Sequence, residues 1–181
     1  MERVRIKQFY NLIENNHWDT WANVAEEHHY DFWHEKIYEV PLEYPHLFKM
    51  IHGEFLDYTG TNDQVIMSKK LKDIIDAFVP KGELEWIHLT VENKDGSLHD
   101  AYMPRFVEVP HMFDVLNEEF TKLTDQGHLM VPALSKEKTK DRHFIRLLEN
   151  QLITYVSEDL KKAIQKAKVT GVNFEKKKMR E

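Results

Sequence analysis

Cysteine is absent from the 181 residues, which excludes a disulfide scaffold, a thiolate zinc site, an iron–sulfur cluster and a cysteine nucleophile. Glycine is scarce, with six residues spread singly along the chain. There is therefore no Gly-x-Gly-x-x-Gly or Walker-type run to cradle a phosphate, and no cofactor is expected. No apolar run approaches the roughly 18 residues of a membrane span. The opening Met1-Glu2-Arg3-Val4-Arg5 is not followed by the hydrophobic stretch of a signal peptide. These absences predict a cytoplasmic protein with no membrane partner.

What is present supports a core without staples. Hydrophobic residues make up 41% of the chain, and a chain of this size buries about 70% of its unfolded surface. Charge is uneven. The formal balance is 25 bases to 31 acids, −6. Residues 176–181 hold four bases and one acid, so the rest carries 21 bases to 30 acids, a formal −9. An acidic body argues against a nucleic-acid partner, because that affinity depends on Lys and Arg neutralising phosphates. It suits a basic protein partner, since opposite potentials speed encounter. The Lys176-Lys177-Lys178 run reads as a short, solvated, disordered tail.

Along the chain, Val4, Ile6, Phe9, Tyr10, Leu12 and Ile13 suggest an opening strand of imperfect alternation. Trp18, Trp21, Ala22 and Ala25 follow helical spacing, and Pro41 and Pro45 bracket a non-helical connection. Glu54 to Tyr58 reads as a short strand. After Ser68, residues Leu71, Ile74, Ile75 and Phe78 mark one face of a helix that Pro80 and Gly82 end. Leu84 to Val91 and Leu98 to Val107, joined by Asn93-Lys94-Asp95-Gly96-Ser97, form a predicted hairpin. Phe113 to Leu123 suggests a further helix, and Ser135 to Arg142 a loop. His143 to Leu148 and Ile153 to Val156 read as strands. A second helix follows Ser157, with Leu160, Ala163, Ile164 and Ala167 on one face, and Gly171 leads into a last strand.

The two helices align. Setting Ser68 on Ser157 brings Leu71 onto Leu160, Ile75 onto Ile164 and Gly82 onto Gly171. Two readings fit: one unit used twice, or the common pattern of any Ser-capped helix ended by Gly. The second helix opens with Glu158-Asp159, which complements the helix dipole; the first opens with Lys69-Lys70, which does not. The predicted fold is α+β: a single domain over 1–175 with an antiparallel sheet, one central β-hairpin and two similar Ser-capped helix–strand units.

Three constellations bear on chemistry. In Glu26-Glu27-His28-His29-Tyr30-Asp31-Phe32-Trp33-His34-Glu35, a helix would gather carboxylates and imidazoles on one face. His28, Asp31 and His34 are the candidate ligands of a small metal-dependent hydrolase. The segment lacks His-Glu-x-x-His order, and its aromatics suit a strand, so the favoured reading is a surface segment with histidines among charges, and no metal site is assigned. His88 and His99, on opposite arms of the hairpin, would face each other. Ser97 lies near His99 and Asp100 but in no nucleophile elbow, so no catalytic residue is assigned. Tryptophan is favoured in interface anchors, which nominates Trp18, Trp21 and Trp33, with Glu26, Glu27 and Asp31, as partner-binding residues.

His143-Phe144-Ile145-Arg146-Leu147, Ile153 to Ile164 and Val169-Thr170-Gly171-Val172-Asn173-Phe174 resemble the C-terminal signature of a bacterial immunity-like family, formerly a domain of unknown function. Phe55-Leu56-Asp57-Tyr58, Val65 to Ile75 and Leu84 to Val91 fall where that family has an Asp-Tyr pair, a Ser-led helix and a strand. The resemblance covers residues 37–175, leaving the aromatic-rich 1–36 outside. It implies a non-enzymatic protein of polymorphic and contact-dependent toxin systems that binds and neutralises a cognate toxin, with Ser68 and Ser157 as helix caps and Gly82 and Gly171 as helix stops. A regulatory or scaffolding module is the remaining alternative.

Overall fold

A computed structural model describes residues 8–14, 20–32, 36–61, 64–147 and 150–180. The chain runs through β1 (Phe9–Glu14), β2 (Trp21–Asn23), β3 (Glu43–His52), β4 (Tyr58–Gly60), β5 (Val65–Ser68), α1 (Lys69–Asp76), β6 (Leu84–Glu92) and β7 (Leu98–Phe106). It continues through α2 (Met112–Val115), β8 (Lys122–Leu123), β9 (Leu129–Val131), β10 (Leu134–Ser135), β11 (Phe144–Leu147), β12 (Asn150–Ser157), α3 (Glu158–Lys166), β13 (Val172–Lys176) and β14 (Met179–Arg180). Among the described residues strand outweighs helix, 43% to 20%, and six strands close into a barrel in the order β2-β3-β6-β7-β5-β4. This overturns the expectation of a balanced α+β domain: the hairpin and the two helix-bearing units are set in a mostly β architecture around a closed barrel, not around a central antiparallel sheet. The Leu84–Phe106 hairpin is one wall of the barrel. Closure comes from the parallel pairs β3–β6 and β2–β4, which join distant segments and leave no local mark in the sequence.

Strict alternation builds the barrel interior. Ile87, Leu89 and Val91 of β6 and Ala101 and Met103 of β7 are buried beside Phe48, Met50 and Ile66. Two short 3₁₀ helices, Glu26–Phe32 and Lys36–Tyr38, add Phe32 and Ile37 to the same cluster. A strand at β2 and a 3₁₀ turn thus stand where sequence spacing suggested a helix. Arg105 holds this segment by donating from Nη1 to the carbonyls of Ile37 (3.1 Å) and Val40 (2.8 Å), with Glu85 2.7 Å from its Nη2. β3 runs through Pro45, which falls where its pairing to β6 shifts register between Glu43 and Leu47. The missing N–H therefore breaks no regular ladder there.

A second sheet, ordered β11-β12-β1-β13, is covered on both faces. Phe9, Ile145 and Tyr155 pack with Val115, Leu116 and Leu134. Leu12, Phe144 and Val156 pack with Leu71 and Ile75 of α1 and Leu160 and Ile164 of α3. Burial on both faces accounts for the imperfect alternation of β1. The helix expected over Phe113 to Leu123 shrinks to the single turn of α2.

The two helices belong to equivalent units. Ser68 and Ser157 adopt nearly identical backbone angles (φ −68°, ψ 161° and φ −67°, ψ 160°), and each Oγ accepts the N–H three residues on at 3.3 Å. The equivalence extends upstream. Ser68 N–H donates to the Asp57 carbonyl (3.0 Å) and Ser157 N–H to that of His143 (2.9 Å). Each Oγ also meets the side chain of that same residue, Asp57 Oδ1 at 2.6 Å and His143 Nδ1 at 2.7 Å. Tyr58 and Phe144 follow, opening antiparallel partners of β5 and β12. Tyr58, Met67, Leu71 and Ile75 share one core with their counterparts Phe144, Val156, Leu160 and Ile164.

Asp57 joins the units. Its Oδ2 accepts from Thr170 N–H (2.8 Å), Thr170 Oγ1 (3.1 Å) and Lys70 Nζ (3.0 Å). Burial raises its carboxyl pKa, but the bonds from Ser68, Thr170 and Lys70 outweigh this and hold it below the ordinary value. Gly171, at φ +78°, sits so close to this junction that a Cβ would lie 2.2 Å from the Tyr58 carbonyl oxygen. Arg146 of β11, fully buried, makes a second link by donating to Gln64 Oε1 (2.8 Å). Burial lowers its pKa to about 10, leaving it cationic at neutral pH. The basic tail is also not the disordered segment expected: Lys176 ends β13, and Met179–Arg180 pairs in parallel with Leu134–Ser135.

Gly171→Ala is expected to cost about 2–4 kcal/mol in urea unfolding and Gly82→Ala about 1 kcal/mol, because both strain a positive φ but only the first also strikes backbone. For Asp57, a lowered pKa means a contribution complete at neutral pH and lost as pH falls below the ordinary 3.8. The wild type should therefore lose more stability than Asp57→Asn between about pH 5 and pH 2. Parallel acid profiles would contradict this.

Candidate partner-binding face

The outward positions of β3, β6 and β7 form a panel. Pairing sets Glu43 opposite His88 and His88 opposite Tyr102, so three side chains line up across three strands. His88 Nδ1 lies 2.6 Å from Glu43 Oε2 and its Nε2 3.1 Å from Asp100 Oδ1. Its ring stacks on Tyr102, centroids 5.1 Å apart at 21°. A neutral imidazole can donate from only one nitrogen, so contact with two carboxylates favours the cation. Hydrogen bonds to Glu43 and then Asp100 raise the His88 pKa. The carboxylates themselves face solvent, Glu43 82% and Asp100 73% exposed.

Beside this triplet, Trp86 Nε1–H donates to Asp76 Oδ1 at 2.7 Å. Lys72 Nζ, held 2.7 Å from Asp76 Oδ2, lies 5.5 Å from the Trp86 ring and 5.6 Å from that of Tyr102. Leu98 and Ile51, 63% and 46% exposed, supply apolar surface at the far end. The panel thus combines fixed aromatic rings, exposed carboxylates and uncovered aliphatic groups, the ingredients of a protein interface.

The residues nominated from sequence fall elsewhere. Trp21 is half-buried in β2, and Glu26 and Glu27 are exposed at the start of the first 3₁₀ helix. Trp18, Trp33 and His34 lie outside the described residues. His28 and Asp31 do meet, Nδ1 to Oδ2 at 3.2 Å. Asp31 also accepts from Tyr44 Oη at 3.2 Å, and the His28 ring stacks on His46 at 3.7 Å. Among the described residues no three His, Asp or Glu side chains are placed to hold a metal ion. His88 and His99 do not face each other, because His88 pairs with Tyr102 and His99 with Val91. Ser97 Oγ lies 3.2 Å from His99 Nε2 but only 2.6 Å from Asp95 Oδ1, to which it donates. The carboxylate takes the hydroxyl proton that a base would have to remove, and the Asp95–Ser97 contact closes the hairpin turn.

The Glu43–His88–Asp100–Tyr102 group was missed in the sequence. Its β6–β7 part follows from the hairpin register once the Asn93–Ser97 turn is fixed, but Glu43 arrives through a parallel pairing that nothing local announces.

The profile of the immunity protein family (Imm11) matches residues 14–179. The chain belongs to this family. Membership implies a toxin as partner. The match begins at residue 14, not 37, so much of the aromatic-rich N-terminal segment is part of the Imm11 sequence pattern. No curated protein shows significant similarity to the chain.

For this Imm11 member, the His88 ring protons should titrate with a midpoint above the ordinary 6.5 when followed by NMR. Glu43→Gln or Asp100→Asn should each lower that midpoint. A midpoint that ignores both changes would mean the triplet does not form.

Proposed function

We propose that this protein neutralises a basic toxin by stoichiometric, non-enzymatic contact through the outer face of β3, β6 and β7. The encounter would take place in the cytoplasm of the producing cell. The observation that carries this reading is the pair of exposed carboxylates, Glu43 and Asp100, fixed around His88 on a rigid barrel wall. The formal −9 on residues 1–175 supports it, because a long-range field of one sign steers an oppositely charged partner. Three strands of nine to ten residues span roughly 30 Å by 14 Å. That is about half of the approximately 800 Å² one partner contributes to a standard interface, and the flank around Lys72 and Asp76 extends it.

Binding to the cognate toxin should be 1:1 by calorimetry. Glu43→Lys with Asp100→Lys should slow association roughly tenfold, and added salt should erase most of the difference. Unchanged association by the double variant would exclude this face as the interface.

A further inference from the structure

The two equivalent units differ in how the turn after each helix meets the neighbouring unit. Where the turn after α3 meets the first unit, the junction is closed: Gly171 abuts the Tyr58 carbonyl and Leu56 Cβ, and Thr170 N–H reaches Asp57. The equivalent junction pairs the turn after α1 with the second unit, where Gly82 stands for Gly171, Arg142 for Leu56 and Phe144 for Tyr58. That junction is open. A Cβ on Gly82 would meet nothing within 4 Å, and a cleft of about 460 Å³ lies between Gly82, Arg142 and Phe144.

The cleft has a definite chemistry. Phe106 and Phe144, stacked at 5.3 Å and 11°, form its wall with Val79. Among the described residues, Glu83, Glu108 and Asp114 line it against one cation, Arg142. Asp114 Oδ2 accepts the His111 N–H at 2.8 Å; Glu83 and Glu108 are exposed. A net negative rim with a small apolar strip from Val79 and the edges of Phe106 and Phe144 suits the charged head and methylene stem of a long basic side chain. The volume lies within the roughly 300–1,000 Å³ of ligand clefts.

We infer that this cleft is a docking site for an arginine or lysine side chain of a protein partner, which would fill the gap between Gly82 and Arg142 that the close approach of Gly171 to Tyr58 leaves no room for in the other unit. The inference rests on the reading of this chain as a protein-binding module, but not on the outer barrel face or on any particular toxin.

The test uses small probes on the ¹⁵N-labelled full chain: N-acetyl-arginine amide and N-acetyl-lysine amide, with N-acetyl-glutamine amide as the neutral control. The basic amides should give saturable shifts at Gly82, Glu83, Val107 and Glu108. In Glu83→Lys with Glu108→Lys the response should weaken at least about fivefold, and in the paired Gln variant by less, through loss of charge attraction. Unchanged thermal midpoints would show both variants folded. Absence of shifts at the cleft, an equal response to the neutral amide, or full binding by the Lys variant would each overturn the assignment. Toxin binding that survives such a failure would leave the outer-face reading standing; loss of toxin binding with intact cleft shifts would do the reverse.

Discussion

The Asp57 carboxylate is the constraint on which the rest of the arrangement depends. One oxygen accepts a hydrogen bond from the Ser68 hydroxyl, and the other accepts from Lys70 and the Thr170 backbone N–H. One side chain therefore neutralises a helix that opens on two lysines, orients its cap and anchors the turn leading into β13. α3 supplies its own negative charge through Glu158 and Asp159, so it needs no carboxylate at the equivalent place and has His143 there instead. The helix whose first turn is wrong for the dipole is the one that recruits an acid from outside it.

This arrangement also explains why two short helices are stable. Eight and nine residues are too few for a helix to persist alone in water. Leu71 and Ile75 face Leu160 and Ile164 in one core, so each helix completes the burial of the other, and the equivalence of the two units makes the contact self-consistent. Gly171 permits the turn to approach Tyr58 closely enough for Thr170 to reach Asp57. Any side chain there would push the turn off the carboxylate.

Local signals in the sequence were good guides wherever structure is local. The Asn93–Ser97 turn and the alternation on either side lead to nine residue pairs between β6 and β7. Apolar spacing after Ser68 and Ser157 marks two real helices. Architecture was not legible, because the barrel is closed by Glu43 against His88 and Trp21 against Gly60. Those partners are chosen by three-dimensional fit among segments with similar patterns. β3 was hidden further by Pro45, which argues against a strand unless the irregular register that accommodates it is known. The tail misled for a related reason: lysines at a terminus look solvated, yet Lys177 donates its N–H to the Phe9 carbonyl and Lys136 to that of Arg180. The candidate site followed the same rule. Trp86, His88, Asp100 and Tyr102 belong to a hairpin that could be drawn from sequence, whereas Glu43 belongs to a pairing that could not.

A closed barrel also governs how such a protein can bind. Its strands have no free edge in the closed ring, so a partner on the barrel docks on a face or in a seam and does not extend that sheet. Faces built this way are pre-organised. Glu43 and Asp100 are held by His88, and Lys72 by Asp76, so less side-chain freedom is lost on association than on a surface of free charges. When protonated, His88 does this at an electrostatic cost, since its charge offsets part of the acidity of the two carboxylates. Those carboxylates project into solvent, while the imidazole ring stacks on Tyr102 and is less exposed than they are. An approaching cation therefore meets the carboxylates first, and the buried side of the cluster serves to hold them still.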